Sequence, residues 1–406
     1  REPIDRKKAE KPGRVFGYRS ARFRLKHMQY VKPVEEVLFH KGFASVRNKP
    51  GNENVYPVSD NWLAKGKNMD TRGQDIKSKF DNFRDPVGVP FDFAKFDKHK
   101  RKEHLCAVRK IYDHLIIQTT ETKRDLDVIF NAQVSNLRSY AKPSRRDKGK
   151  LSLLSPNEMS MKYTSSATVS GDSATSLDMI ILVLTLVISA INGEIRYDIY
   201  DDGDDCLLFL ERNDLWMIPI FEARMEEMGQ EVELEKFAYC PEEIEFCHAR
   251  PVLLPHADGG HKYRMVREYT RALSRVGVSL EYKTEKDYGR YLRTKTGSET
   301  LLHAGVPIIQ AVCYVGFHGT DSFKGKALTL LQNDHDSYRI YRDLGVLQVD
   351  AVTYTIPTCT TRDSFAKAFG VCPLTQIAME SSFLRKKGVF IHLSQPFLYE
   401  HIEYDL

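Results

Sequence analysis

The seven cysteines of this chain (Cys106, Cys206, Cys240, Cys247, Cys313, Cys359 and Cys372) form no C-x-x-C pair, and their number is odd. That argues against a disulfide framework and for thiols in a reducing compartment. Cys240, Cys247 and His248 lie close together, but at a spacing that matches no usual zinc finger, and they read as packing residues. Long apolar runs are also missing. The longest, Met179 to Ile191, has thirteen residues and is interrupted by Thr185 and Ser189, whereas a helix needs about 20 to cross a bilayer. No signal-peptide pattern opens the chain. Charge of one sign is scarce too: 60 Lys and Arg against 55 Asp and Glu leave +5, too mild by itself to indicate a nucleic-acid partner.

The distribution of charge says more than its sum. Residues 1–50 hold fourteen Lys and Arg against five Asp and Glu, so the remainder is net negative. Such asymmetry is the footprint of a polyanion-binding segment, or else of a solvated basic tail. Within it, bases alternate with rings: Arg14, Phe16, Tyr18, Arg19, Arg22, Phe23, Arg24, Lys26 and Tyr30. Bases neutralise phosphates while rings stack on nucleobases. At 406 residues of globular composition, the chain can bury a large core as two or three domains or as one interlocked enzyme.

Three stretches carry possible chemistry. Tyr197 to Leu210 contains two strand-like runs pinched at Asp202-Gly203-Asp204-Asp205, the pattern of a hairpin whose turn residues tolerate positive φ. It reads either as an ordinary solvated tip or as a turn presenting adjacent carboxylates to divalent cations. Upstream, the short buried strand predicted over Val87 to Phe91 leads into Asp92, with Asp97 five positions later. Two metal ions about 3.5–4 Å apart need carboxylates from more than one element, which a strand Asp and a hairpin Asp could supply. Between these lies Thr168-Val-Ser-Gly-Asp-Ser-Ala-Thr175, running into the apolar stretch that ends near Val187. Its hydroxyls suit an N-capping region, or a polar loop set against a nucleotide sugar through Ser170, Gly171 and Thr175.

The order Asp-x4-Asp, then Ser-Gly-Asp-x-x-Thr, then Gly-Asp-Asp resembles motifs A, B and C of viral RNA-dependent RNA polymerases. Further stretches extend the resemblance to the tombusvirus and carmovirus-like group of positive-strand RNA viruses. Lys11 to Arg24, continuing to Tyr30–Glu36, resembles the basic motif F, and Lys65 to Gly73 with Lys79 to Phe83 the approach to motif A. Glu245 to Val252 resembles motif E, and Gly305 to Ala311 a patch of the thumb. Past Ala311 no motif is recognised.

The resemblance implies an α+β, right-hand polymerase fold of fingers, palm and thumb, with an antiparallel palm sheet backed by helices. Fingers would occupy 1–86, including motif F and lacking their earlier part, since the chain enters that motif so soon. The palm would occupy 87–117 with motif A, 118–160 a fingers insert, 161–253 the palm with motifs B to E, and 254–406 the thumb. The implied activity is RNA-directed RNA synthesis: transfer of ribonucleotides to a 3′-hydroxyl with release of pyrophosphate. Asp92, Asp204 and Asp205 would hold two Mg²⁺ or Mn²⁺ ions. Asp97, Ser170, Gly171 and Thr175 would bind the nucleotide's sugar, and Lys11, Arg14 and Arg19 its triphosphate. Arg22, Arg24, Arg264, Arg267 and Arg271 would contact RNA.

Implied partners are template and nascent RNA, ribonucleoside triphosphates and a viral membrane-anchored replication protein. The implied location is the host cytoplasm, at membrane-associated replication complexes, through a missing segment or a partner.

Elsewhere, Leu105, Val108, Ile111 and Leu115 predict a helix over 104–117. Leu215 to Met228 predicts an amphipathic helix, followed by a strand at Glu231–Glu235. Arg264, Arg267, Arg271 and Arg275 recur at spacings that place them on one helix face. The polar loop Ala141 to Lys150 carries five bases, suited to template contact or to a disordered surface.

Two departures stand out. The family's motif B usually carries Asn where this chain has Met179, and the motif D lysine that would protonate pyrophosphate falls on Glu233, leaving Lys236 as the substitute donor. These lend some weight to a rival reading, a catalytically silent RNA-binding or assembly subunit of the same shape. The intact carboxylate set argues against it. Tyr200-Asp201-Asp202 suggests a reverse transcriptase, but Ser-Gly-Asp-x-x-Thr belongs to the RNA polymerases.

Overall fold

The computed structural model describes residues 20–41, 54–94, 96–134, 137–140, 160–163, 173–256, 258–278, 284–323 and 352–385. In chain order come helices α1 (Ala21–Lys41) and α2 (Met69–Phe80), strand β1 (Pro86–Phe93), the single turn α3 (Phe96–His99), α4 (Lys102–Leu115) and α5 (Thr120–Val134). The paired β2 (Leu137–Tyr140) and β3 (Ser160–Tyr163) follow, then α6 (Thr175–Ile191), β4 (Tyr197–Asp201), β5 (Cys206–Glu211), α7 (Met217–Glu227) and β6 (Val232–Leu234). The rest is β7 (Ala249–Pro255), β8 (His261–Arg267), α8 (Tyr269–Arg275), α9 (Glu285–Leu302), α10 (Ile309–His318), α11 (Cys359–Phe369) and α12 (Pro373–Arg385). The class is mixed helix and sheet, with antiparallel pairings. Two compact units share these elements: Arg1–Gly66 with Phe91–Glu235, and Lys67–Pro90 with Lys236–Leu406.

The first unit is built on a sheet of order β4-β5-β1-β6. Every residue of β4 is buried, as are Cys206 to Leu210 of β5, so both faces are covered and the runs need not alternate in polarity. The hairpin expected from the sequence forms with Asp201 opposite Cys206. Phe91 of β1 meets Phe221 of α7 edge-to-face at 5.4 Å, a geometry aromatic pairs prefer. Residues 55–65 run beside β4 and act as its outer neighbour. Val58 donates to the Tyr197 carbonyl, Asp201 to that of Trp62, and Ala64 to that of Asp201, each at 2.9 Å.

Helix α6 carries the long apolar run and is buried on almost every side, from Leu177 to Ile191, as expected of a helix in a core. It stops at Asn192 and Gly193, both with positive φ, a conformation that Asn and Gly adopt at little cost. Its N-cap is Ala174, with no side-chain cap. Helix α4 buries Leu105 and Val108, as its aliphatic spacing suggested, but towards its C-terminus the buried stripe runs through Tyr112 rather than Leu115. Buried are His104, Leu105, Val108 and Tyr112, while Leu115 is exposed. Tyr112 prevails because its hydroxyl donates to buried Asp178 of α6 at 3.1 Å. Gln133 of α5 donates to the same carboxylate at 3.3 Å. Helix α1 is tied to α5 through Asp125, which receives Tyr30 Oη and Lys26 Nζ at 2.8 Å.

The second unit centres on the β7–β8 hairpin, paired from Ala249–Arg267 to Pro255–His261. Its core comprises Val252, Leu254, Val266, Val306, Ile308, Ile309, Cys313, Phe365 and Ala368. Helix α2 lies against β8 so closely that a Cβ on Gly73 would come within 2.4 Å of the Tyr263 carbonyl oxygen. Buried Arg362 grips buried Glu380 with two hydrogen bonds, at 3.0 and 2.7 Å, the bidentate form of carboxylate pairing. No disulfide joins any of the seven cysteines, all of which lie among the described residues. No described helix is long and apolar enough to cross a membrane.

Candidate active site

Three of the carboxylates singled out in the sequence, Asp92, Asp204 and Asp205, lie near enough in the first unit for the latter two to act electrostatically on the first. Along β1 the burial alternates only at its end, leaving Asp92 exposed between buried Phe91 and Phe93. The Phe93 amide donates to Asp92 Oδ1 at 2.8 Å, fixing the side chain beside its own strand. Asp204 and Asp205 occupy the four-residue turn that joins β4 to β5. Burial pushes the Asp92 carboxyl above its ordinary range, and the charges of Asp204, Asp205 and Glu233 push the same way. Three separate carboxylates thus act on a fourth and concentrate negative charge beside Asp92.

The turn is held from within and from both sides. Asp202 donates its amide to the Asp205 carbonyl at 3.0 Å, and the Gly203 amide donates to Asp201 Oδ1 at 2.9 Å. Gly203 has φ +105°, beyond the comfortable reach of an L side chain. A Cβ there would also come to 3.0 Å from Met179 Sδ, near the N-terminal end of α6. From the other side, Lys65 Nζ pairs with Asp202 Oδ1 at 3.6 Å. Asp201 beneath the turn is fully buried, its Oδ2 lacks a hydrogen-bond partner, and burial drives its carboxyl well above the usual range. Burial raises the Cys206 thiol as well, which makes it an inert packing group rather than a nucleophile.

The remaining sequence candidates divide by place. Thr175 opens α6. Asp97 lies in α3, its side chain outside the described residues, as are Ser170, Gly171, Lys11, Arg14, Arg19 and the loop Ala141–Lys150. Arg22 and Arg24 belong to α1. Lys236 belongs to the second unit; its side chain is 81% exposed, 3.9 Å from Glu243. Glu233, by contrast, sits on β6 directly opposite Asp92.

One expectation is overturned. Arg264, Arg267, Arg271 and Arg275 do not share a helix face: the first two are on β8 and the others on α8. The strand persists because Met265 and Val266 are buried and the segment pairs with β7. The helix begins only after Glu268, whose carboxylate accepts the amides of Thr270 and Arg271 at 3.0 and 2.6 Å. Arg264 pairs with Asp70 at 2.5 Å and Arg267 with buried Glu299 at 3.8 Å.

Among the described residues no three His, Cys, Asp or Glu side chains form a ready-made metal cage. Asp92 near the end of β1 and Asp204 and Asp205 on the β4–β5 turn are oxygen donors of the kind Mg²⁺ takes, since it binds through one or two protein carboxylates and keeps room for water and substrate phosphates.

The sequence profile of the viral RNA dependent RNA polymerase family matches residues 2–137 and 155–388. The chain belongs to that family. Within the viral RNA dependent RNA polymerases it is similar to the RNA-directed RNA polymerase of Oat chlorotic stunt virus, 27% identical over 386 residues, covering 93% of this chain and 47% of that protein. That of Tobacco necrosis virus strain D is 26% identical over 381 residues (91% and 47%), and that of Melon necrotic spot virus 25% over 381 (93% and 43%). The chain spans about half the length, or slightly less, of these curated relatives. They agree with the tombusvirus and carmovirus-like resemblance drawn from the motifs.

Sequence reasoning named the carboxylates of this site but missed Lys65, Asp201 and the pairing of Glu233 with Asp92. A local signal existed for Asp201, an acid inside an otherwise apolar strand. None existed for the other two, which depend on distant partners.

Proposed function

We propose that this chain carries the catalytic region of an RNA-directed RNA polymerase that extends a 3′-hydroxyl by template-directed ribonucleotidyl transfer, in replication of a positive-strand RNA virus genome. The observation that carries the reading is the electrostatic coupling of Asp92 on β1 to Asp204 and Asp205 on the β4–β5 turn, in a chain of this family. Under it, the fold is a right hand with its palm at 87–117 and 161–253, fingers at 1–86 and 118–160, and thumb at 254–406.

Asp92 and Asp204, supported by Asp205, are the groups that would hold two Mg²⁺ or Mn²⁺ ions. When bound, such ions make the 3′-hydroxyl more acidic and neutralise the triphosphate and its leaving group. The protein's own work is positioning. Asp97, Ser170, Gly171 and Thr175 orient the ribose, and Lys11, Arg14 and Arg19 draw the triphosphate in. Lys236 supplies a proton to departing pyrophosphate, and Arg22, Arg24 and Arg271 follow RNA phosphates, while Arg264 and Arg267 are engaged by Asp70 and Glu299. The working location is the host cytoplasm, at membrane-associated complexes reached through a partner, such as a viral membrane-anchored replication protein, or through a further segment of chain.

The deciding experiment is incorporation of labelled ribonucleotides on a short primed RNA with Mg²⁺ or Mn²⁺, comparing this chain with Asp204→Ala. Template-dependent extension that vanishes in the variant establishes the activity. Equal incorporation by both removes Asp204 from the chemistry. If neither extends, and a longer chain of this polymerase is also inactive, the silent-subunit reading takes over.

A further inference from the structure

Lys65 sits where a charge acts most directly on the candidate catalytic turn. Residues 55–65 lie alongside β4, held by the three backbone bonds from Val58, Asp201 and Ala64. Two side-chain bonds add to them: Ser59 Oγ to Asp198 Oδ1 at 2.9 Å, and Tyr197 Oη to the Val55 carbonyl at 3.2 Å. That line of contacts delivers Lys65 to the end of the strand, where its ammonium lies 3.6 Å from Asp202 Oδ1. The Asp202 carboxylate is largely shielded, with a side-chain exposure of 12%, while Lys65 keeps 40%.

The consequence follows from what else Asp202 does. Its backbone amide closes the turn onto the Asp205 carbonyl, and Asp204 and Asp205 are suspended between those two points. Asp201, Asp202, Asp204 and Asp205 are four acids within five residues, so the turn repels itself. Lys65 relieves that repulsion at the residue that anchors the loop, and its charge also offsets the burial of Asp201.

We propose that Lys65 is a positioning residue: through Asp202 it fixes the turn that aims Asp204 and Asp205, so that the carboxylates are set before cation and nucleotide arrive. This rests on the polymerase reading given above. The rival role for the same ammonium is direct contact with the substrate triphosphate, and a third is simple long-range charge.

Three variants separate these roles: Lys65→Met, Asp202→Asn and the double substitution. Steady-state extension on the primed RNA gives one readout and Mn²⁺ calorimetry on the same proteins a second. Positioning requires that each single variant lose between about 10- and 100-fold in kcat, as expected of displaced catalytic groups. KM for the ribonucleotide should stay within about threefold, and melting temperature should change little, since an ion pair whose Lys65 partner keeps its ammonium in water contributes little to stability. The double variant should be no worse than either single one, because the two residues act as a unit.

Mn²⁺ affinity should weaken in both single variants. Long-range charge predicts opposite shifts, tighter for Lys65→Met and weaker for Asp202→Asn, and that result overturns the inference. So does a loss confined to KM with additive effects, the signature of triphosphate contact, or full activity in Lys65→Met. A parent chain that fails to extend counts against the polymerase reading instead. The calorimetric comparison still decides the pair, because same-sign weakening needs no turnover.

Discussion

Asp92 and Glu233 stand directly opposite one another across the antiparallel pairing of β1 and β6. Like charges at such a position destabilise a ladder, and Glu233 occupies the place where the family resemblance calls for lysine. Its charge adds to burial and to Asp204 and Asp205 in raising the Asp92 carboxyl.

Glu233→Gln should therefore move the acid limb of Mn²⁺ binding to lower pH. A carboxyl raised in the folded chain holds its proton more tightly there than in the unfolded one, so ionising it costs stability. The cost is absent below the ordinary carboxylate range and complete once pH exceeds the raised value. Removing one contribution lowers that raised value and adds on the order of 0.5 kcal/mol of stability at neutral pH. Calorimetry across a pH series, with denaturant melts alongside, checks both; an unmoved limb takes Glu233 out of the account.

Met179 Sδ lies where it would crowd a Cβ on Gly203 in the candidate turn, and substitutions of these two residues should behave differently. Gly203→Ala asks an L residue to adopt φ +105° against Met179 Sδ, at a cost of about 1–3 kcal/mol, and extension should fall with it. Met179→Asn restores a hydrogen-bonding group that methionine lacks. It should improve rejection of deoxynucleotides by up to about tenfold, the worth of one net hydrogen bond. Parallel extension assays with ribo- and deoxynucleotides measure the ratio, and equal ratios in parent and variant would rule this role out.

Arg264 and Arg271 should part company in RNA-binding titrations. The Arg264 guanidinium is engaged by Asp70 and donates to the Leu302 carbonyl at 3.2 Å, so Arg264→Ala should cost about 1 kcal/mol of stability. Arg271→Ala should lower the salt slope of RNA binding by about one phosphate contact and leave the melt alone. A salt slope that changes only in the Arg264 variant would reverse the assignment.

Gly73→Ala should be the most damaging single methyl in the second unit. The contact it would make, 2.4 Å, is with backbone of β8, which cannot swing aside as a side chain can. A loss of about 3 kcal/mol is expected, the upper end of overpacking costs, read by denaturant unfolding.

The hairpin, β1 and α6 could be read from the sequence because each is specified by residues near one another: an apolar run and, for the hairpin, an acidic turn. The arginines of residues 264–275 could not, because a spacing of three and four arises equally from the exposed side of a strand followed by a capped helix. Only the burial of Met265 and Val266 and the Glu268 cap decide between them. The α4 face was legible at Leu105 and Val108 but not at its C-terminal end: aliphatic spacing favoured Leu115, whereas a hydrogen bond to a buried acid on another helix turned Tyr112 inward. Of the candidate site, the acids were legible and their company was not. Lys65 with Asp202, and Glu233 with Asp92, are brought together by strand pairing between distant segments, and no local pattern encodes that.

The run of residues 55–65 beside β4 has a further consequence. β4 is the terminal strand of its sheet, and an edge strand left open offers its unpaired backbone groups as a template for aggregation. With Val58, Trp62 and Ala64 engaged against it, that edge has few groups left to offer a neighbouring molecule. A chain cleaved within 55–65 would keep its carboxylates yet become adhesive, so self-association on storage would add to any loss that comes from releasing Lys65 from the turn.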